Sequence, residues 1–86
     1  MDTLNLETVT AFAEKAIARH MEEAANSQNE GLFLFHQQRA EGVQRFWFDL
    51  MLANRSTSAA FVAADQRLRG LIYGPRRERE AAALRT

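Results

Sequence analysis

The side chains with the most chemical reach are His20, His36 and Glu23. Both histidines fall on the apolar side of a helical repeat, and a turn centred near residue 28 would leave each of them eight residues from it. An antiparallel hairpin then brings the two imidazoles close together, with Glu23 one turn from His20 as a third donor. Two imidazoles and a carboxylate suit zinc. The sequence holds no cysteine, no His-Glu-x-x-His and no Glu-x-x-His, so the expectation is neither a metal nor any other cofactor. It is two half-buried imidazoles satisfied by backbone or water, which leaves the hairpin sensitive to pH.

A second group of chemically able residues is basic. Arg67, Arg69, Arg76, Arg77 and Arg79 concentrate positive charge near the C-terminus, and arginine on phosphate supplies sequence-independent affinity for nucleic acid. Glu78 and Glu80 dilute the run, and Tyr73 is its one aromatic neighbour. A segment of about 25 residues precedes the arginine-bearing helix, too long for the compact helix-turn-helix that sits in a major groove. A solvated charged end is therefore expected. Arg67, Arg69, Arg76 and Arg77 are kept as the contacts an alternative role would use, on nucleic acid or an acidic surface. Arg39 stands among apolar residues, where its stem can pack while its head stays wet or pairs with Glu23. Catalysis finds no equipment: there is no cysteine nucleophile, no G-x-S-x-G elbow and no phosphate-binding loop, so an enzyme is not expected.

The elements that hold these residues are helical. Fifteen alanines against four glycines and one proline favour helix over sheet. Leu6, Val9, Ala13, Ala16, Ile17, His20 and Ala24 recur at spacings of three and four, with Asn5 or Thr3 placed to cap the start. Ser27 and Glu30 have capping-box spacing, which predicts a second helix from near Gln28 and a link short enough to make antiparallel neighbours. "NRSTS" at 54–58 is the next break, where Ser56, Thr57 or Ser58 can cap a third helix. Phe61, Ala64, Leu68, Leu71 and Ile72 continue the helical step until Gly74–Pro75 signals a stop. The fold expected is all-α: a compact three-helix domain over residues 1–74, an antiparallel hairpin closed by a third helix. The 75–86 tail is able to form a short fourth helix that is marginal alone.

The second segment carries more apolar side chains than two neighbours can cover. On a helical wheel Leu32, Phe35, Val43, Phe46, Trp47, Leu50 and Ala53 form a broad arc, with Phe33, Ala40 and Met51 extending one edge. That arc is the expected core face. Leu34, Phe48 and Leu52 fall opposite it, beside Glu41 and Arg45. Burying a Leu or Phe side chain is worth about 1.5–3 kcal/mol. Leu34, Phe48 and Leu52 are therefore the expected partner-binding residues, rimmed by Glu41 and Arg45, and a second copy of the chain or another protein is the expected partner.

Composition limits the class of function. Eighty-six residues make one domain with a thin margin of stability, and without cysteine no disulfide or thiolate zinc can reinforce it. The formal net charge is zero, although residues 1–30 carry −4 and residues 31–86 carry +4, which argues against a partner held by bulk charge. No charged-then-apolar leader is expected, and no run approaches the ~18 apolar residues of a membrane span, so a cytoplasmic address is expected. Ten of the eleven basic residues are arginine, a bias that suits a GC-rich bacterium or its phage. In size, arginine preference and lack of catalytic equipment the chain resembles the small accessory proteins of bacteria and phages, which include anti-CRISPR inhibitors. That resemblance implies a small non-catalytic module, an inhibitor or adaptor, that occupies a partner protein's surface.

Overall fold

The computed structural model describes residues 5–54 and 58–85, the side chains of Arg76, Arg79 and Arg85 excepted. It contains three helices in the order α1 (Leu6–Ala25), α2 (Glu30–Ala53) and α3 (Ala59–Arg85), with no strand among the described residues. The all-α expectation holds. Asn5 caps α1 by accepting from the amides of Glu7 and Thr8, and Glu7 adds a negative charge at the positive end of the dipole. Helix α2 begins two residues later than the Ser27 spacing predicts. Asn29 is its cap, accepting from the Leu32 amide, while the Ser27 hydroxyl turns back to the Ala24 carbonyl at the end of α1. Gly31 leaves the cap oxygen its room, since a Cβ there would stand 3.3 Å from Asn29 Oδ1. Ser58 accepts from the Phe61 amide at the start of α3; the other capping candidates, Thr3, Ser56 and Thr57, lie outside the described residues.

The predicted stop at Gly74–Pro75 is not a stop. Helix α3 runs through Pro75 to Arg85, so the fourth helix allowed for the tail is a continuation of the third. Pro75 sits where the core ends: Ile72 is the last buried side chain, and the described side chains from Arg77 to Leu84 are all exposed. Pro75 itself is half-buried, and the helix passes it despite the missing amide and the crowding of the carbonyl one turn back that proline brings.

Side-chain contacts give the topology. Thr10 meets Trp47 and Glu23 meets His36, so α1 and α2 run antiparallel. Asp65 meets Gln44 and Ile72 meets Gln37, so α3 returns antiparallel to α2. The core runs between the three helices and holds Ile17, Phe33, Trp47, Leu68 and Ile72, with Ala13, Ala24, Ala40 and Ala64 allowing close approach.

The buried face of α2 differs from the expected one. Phe33, Gln37, Ala40, Gln44, Trp47 and Met51 are buried, a stripe at alternating spacings of four and three. Of the arc expected inside, Trp47 is buried, as are Phe33, Ala40 and Met51 of its extended edge; Leu32, Phe35, Phe46 and Ala53 are exposed, and Val43 and Leu50 are half-buried. The reason is that α3 offers polar partners to this stripe. Gln37 Nε2 donates to the Ile72 carbonyl at 3.3 Å, and Gln44 Nε2 donates to Asp65 Oδ1 at 2.8 Å. A buried amide with a partner is tolerated, and one without would be destabilising by about 1–3 kcal/mol. The two glutamines therefore set the rotation of α2 and the register of α3 against it.

Candidate functional site

The residues expected to bind a partner lie on the α3 side of α2. Leu34 and Phe48 are half-buried and packed against the core, Phe48 tilted on Phe61 with ring centroids 5.4 Å apart. Glu41 is half-buried, Arg45 is exposed, and Leu52 keeps 46% of its surface in water. Two of the three apolar residues expected to wait for another chain are thus partly sheltered by their own.

The larger apolar surface is on the other side of the hairpin, and its position follows from two ion pairs. On α1, Glu14 bonds Arg67 of α3, whereas Glu23 stands beside His36 of α2. Nine residues separate the two glutamates, two and a half turns, so they mark opposite faces. Phe12, eleven residues before Glu23, is on the face away from α3. On α2, Val43 and Leu50 follow His36 at two-turn intervals along the same line, and Phe35 and Phe46 lie together on one side of it. Phe12 is 70% exposed, Phe46 69%, Phe35 53% and Leu32 47%. The Thr10–Trp47 and Glu23–His36 pairings place Phe12 and Phe46 at the same level of the hairpin. The described structure thus has one aromatic face with α3 behind it.

The histidine pair lies at the edge of this face. The hairpin brings His20, His36 and Glu23 together as expected. His20 is buried and its Nδ1 has no hydrogen-bond partner. His36 Nδ1 stands 3.3 Å from Glu23 Oε2, within ion-pair range for a protonated ring but without hydrogen-bond geometry. Burial holds the His20 pKa below its ordinary value, and Arg39 and Arg19 add to this against an opposing pull from Glu23. Arg39 lies over the Phe35 ring at 5.9 Å, its cation against the π face. No group of three or more His, Cys, Asp or Glu among the described residues could hold a metal ion.

Trp47 anchors the end of the core nearest Phe12. Its ring stacks on Phe61 at 5.4 Å and its Nε1 donates to Thr10 Oγ1 at 2.9 Å. Above it an open cleft of about 450 Å³ runs between α1 and α3, floored by Trp47, Met51 and Phe61 and rimmed by Glu7, Glu14 and Arg67.

Two of the C-terminal arginines are engaged. Arg67 Nε donates to Glu14 Oε1 at 2.9 Å, and Arg69 pairs with Asp65 at 3.0 Å one turn earlier on α3. Arg77 is exposed, and the Arg76 side chain lies outside the described residues. No helix among the described residues is long and apolar enough to cross a membrane.

Phe35 and Phe46 fall on the expected core arc of α2, and the structure turns both to water, with Phe12 of α1 beside them on the same face. The signal that could have found the face was present: Phe33, Ala40, Trp47 and Met51 already keep the alternating four-and-three step if polar residues are allowed at 37 and 44. Compared with known proteins, the chain matches no family model, no curated protein and no solved structure.

Proposed function

We propose that this chain is a small, non-catalytic, cytoplasmic protein-binding module, an inhibitor or adaptor, whose docking surface is the aromatic face of the α1–α2 hairpin. One observation carries the reading: Phe12, Phe35 and Phe46 each leave more than half of their surface in water on the face that α3 does not cover. At about 200 Å² per ring, these exposures amount to about 380 Å² of aromatic surface. Phe12 and Phe46 stand side by side at one level of the hairpin, and Phe35 lies ~16 Å further along α2, beyond Arg39. Aromatic residues with arginine nearby are also the composition that dominates binding energy at protein interfaces; here Arg39 lies over Phe35. A nucleic-acid role is less well supported, because Arg67 and Arg69 are paired with acids of the same chain.

A photoreactive side chain placed at position 46 in the cell tests the reading, with the exposed α3 position 66 as control. Protein adducts at 46 and not at 66 are expected. Adducts confined to 66, or none at either site, would refute it.

A further inference from the structure

We infer that the aromatic hairpin face is a groove for one helix of a partner protein, a helix that presents a carboxylate to Arg19 and Arg39 with apolar side chains two turns to either side. The inference rests on the reading of that face as a protein-docking surface and gives the chemistry of what docks there.

Spacing defines the groove. Helix α2 buries a stripe at alternating steps of four and three, which keeps residues seven apart on one line along the bundle. The floor between the two helices is apolar and half-buried, with Val9 and Ala16 from α1 and Val43 and Leu50 from α2, each pair seven apart. The walls keep the same step. Leu32, Arg39 and Phe46 stand along α2, and Phe12 and Arg19 along α1, all of them exposed. The Glu23–His36 and Thr10–Trp47 pairings put residues whose numbers total between 57 and 59 at one level. Phe12 is therefore level with Phe46, and Arg19 with Arg39. From the arginines it is ~10 Å to the two rings in one direction and ~10 Å to Leu32 in the other. A helix with a seven-residue repeat stays in register with such a groove along its length.

Charge decides what the middle of that helix carries. Arg67 and Arg69 of α3 have acids of their own chain, whereas Arg19 and Arg39 form no ion pair among the described residues. Neither Glu22 nor Glu23, one turn beyond Arg19, pairs with it; Glu23 stands beside His36 instead. The exposed Lys15, one turn before Arg19, adds to the positive side of the balance. Arg39 holds its guanidinium over the Phe35 ring one turn back. After burial, Arg39 and Arg19 are the next causes that hold the His20 pKa below its ordinary value, so both stand near one buried imidazole. Two level cations on helices packed ~8–10 Å apart repel each other, and a carboxylate brought between them relieves the repulsion while accepting from both. A leucine there would cover the guanidiniums without an acceptor, and a lysine would add a third like charge. The acid is selected against both. Nucleic acid fits less well, because a phosphate backbone carries charge at every step and this groove sets its arginines at a single level between apolar ends.

Selection from displayed helical peptides on the full chain tests this. The peptides are about three heptads long, with leucine fixed at the first and last groove-facing positions and every amino acid allowed at the central one. The wild type is expected to enrich Asp and Glu there over Gln, Leu and Lys, and Arg39→Glu to weaken the selected peptide at least ~30-fold. The double variant Arg19→Glu, Arg39→Glu is expected to reverse the preference to Lys and Arg, a gain that a misfolded chain could not show. No acid preference in the wild type, or one that survives in the double variant, overturns the proposal. Phe46→Glu separates the two claims. Peptides without acid preference that still need Phe46 remove the acidic partner and leave the docking face; peptides indifferent to Phe46→Glu, or no bound peptide at all, remove both. A wild type that sediments at twice 9.8 kDa and returns to 9.8 kDa in Phe46→Glu would give the groove to a second copy and overturn the proposal. An oligothymidylate retained by the wild type and lost by the double variant would give it to nucleic acid, with the same consequence.

Discussion

Replacing Pro75 with alanine should stabilise this protein. Proline inside a helix lacks the amide that would serve the carbonyl four residues back, here Leu71, and its ring crowds that carbonyl; together these effects amount to about 3 kcal/mol relative to alanine. The opposing effect is on the unfolded chain, which proline restricts; losing that restriction gives back about 0.4–1 kcal/mol. The helical term wins because α3 is helical on both sides of Pro75 and the described side chains beyond it, from Arg77 to Leu84, are exposed. A net gain of about 2 kcal/mol follows. For a domain of this size each kcal/mol moves the midpoint by about 4–8 °C, so Tm should rise by roughly 8–16 °C. Pro75→Gly should capture about 1 kcal/mol less, the helix-propensity difference between glycine and alanine. The assay is urea and thermal unfolding followed by far-UV circular dichroism and by the fluorescence of the sole tryptophan, Trp47, which is buried in the core. An unchanged or lowered midpoint in Pro75→Ala would refute the reasoning. It would mean that the helix in solution ends before Pro75 and that the proline instead opens a separate one, where its missing amide is harmless.

Three further outcomes are expected. Stability should fall as pH drops below 6.5, because His20 binds its proton less readily folded than unfolded; the unfolded chain then holds more protons, so the loss begins at the ordinary histidine value and stops below the folded one. Urea midpoints between about pH 8 and pH 5 would show this, and His20→Gln should flatten the dependence; an equally steep curve in that variant would assign it elsewhere. Trp47→Ala should lower stability by about 3–5 kcal/mol by opening a cavity against Phe61, whereas Thr10→Val, which leaves the indole N–H without its acceptor, should lower it by about 1–2 kcal/mol; denaturant titration of both would test the order. Arg67→Ala should change stability by less than about 1 kcal/mol, since its pairing with Glu14 is exposed, and a larger loss by the same titration would show that the pair is coupled to the packing around the Trp47 cleft.

The helical class, the three segments and the hairpin could be read from the chain because they depend on local chemistry. Asn5 and Ser58 can satisfy helix-end amides wherever the rest of the chain lies, and the Leu6–Ala24 repeat commits α1 to one buried side. The rotation of α2 depended on distant residues. Phe35 and Phe46 are as apolar as Phe33 and Trp47, and nothing local marks the first two for water and the others for the core. That choice belongs to Gln37 and Gln44, polar residues that can go inside because the Ile72 carbonyl and the Asp65 carboxylate, 35 and 21 residues further along, arrive to meet them. Periodicity records how many oily side chains a helix owns. The partners that α3 brings to the buried stripe determine which of them stay outside, and so where this molecule presents its aromatic face.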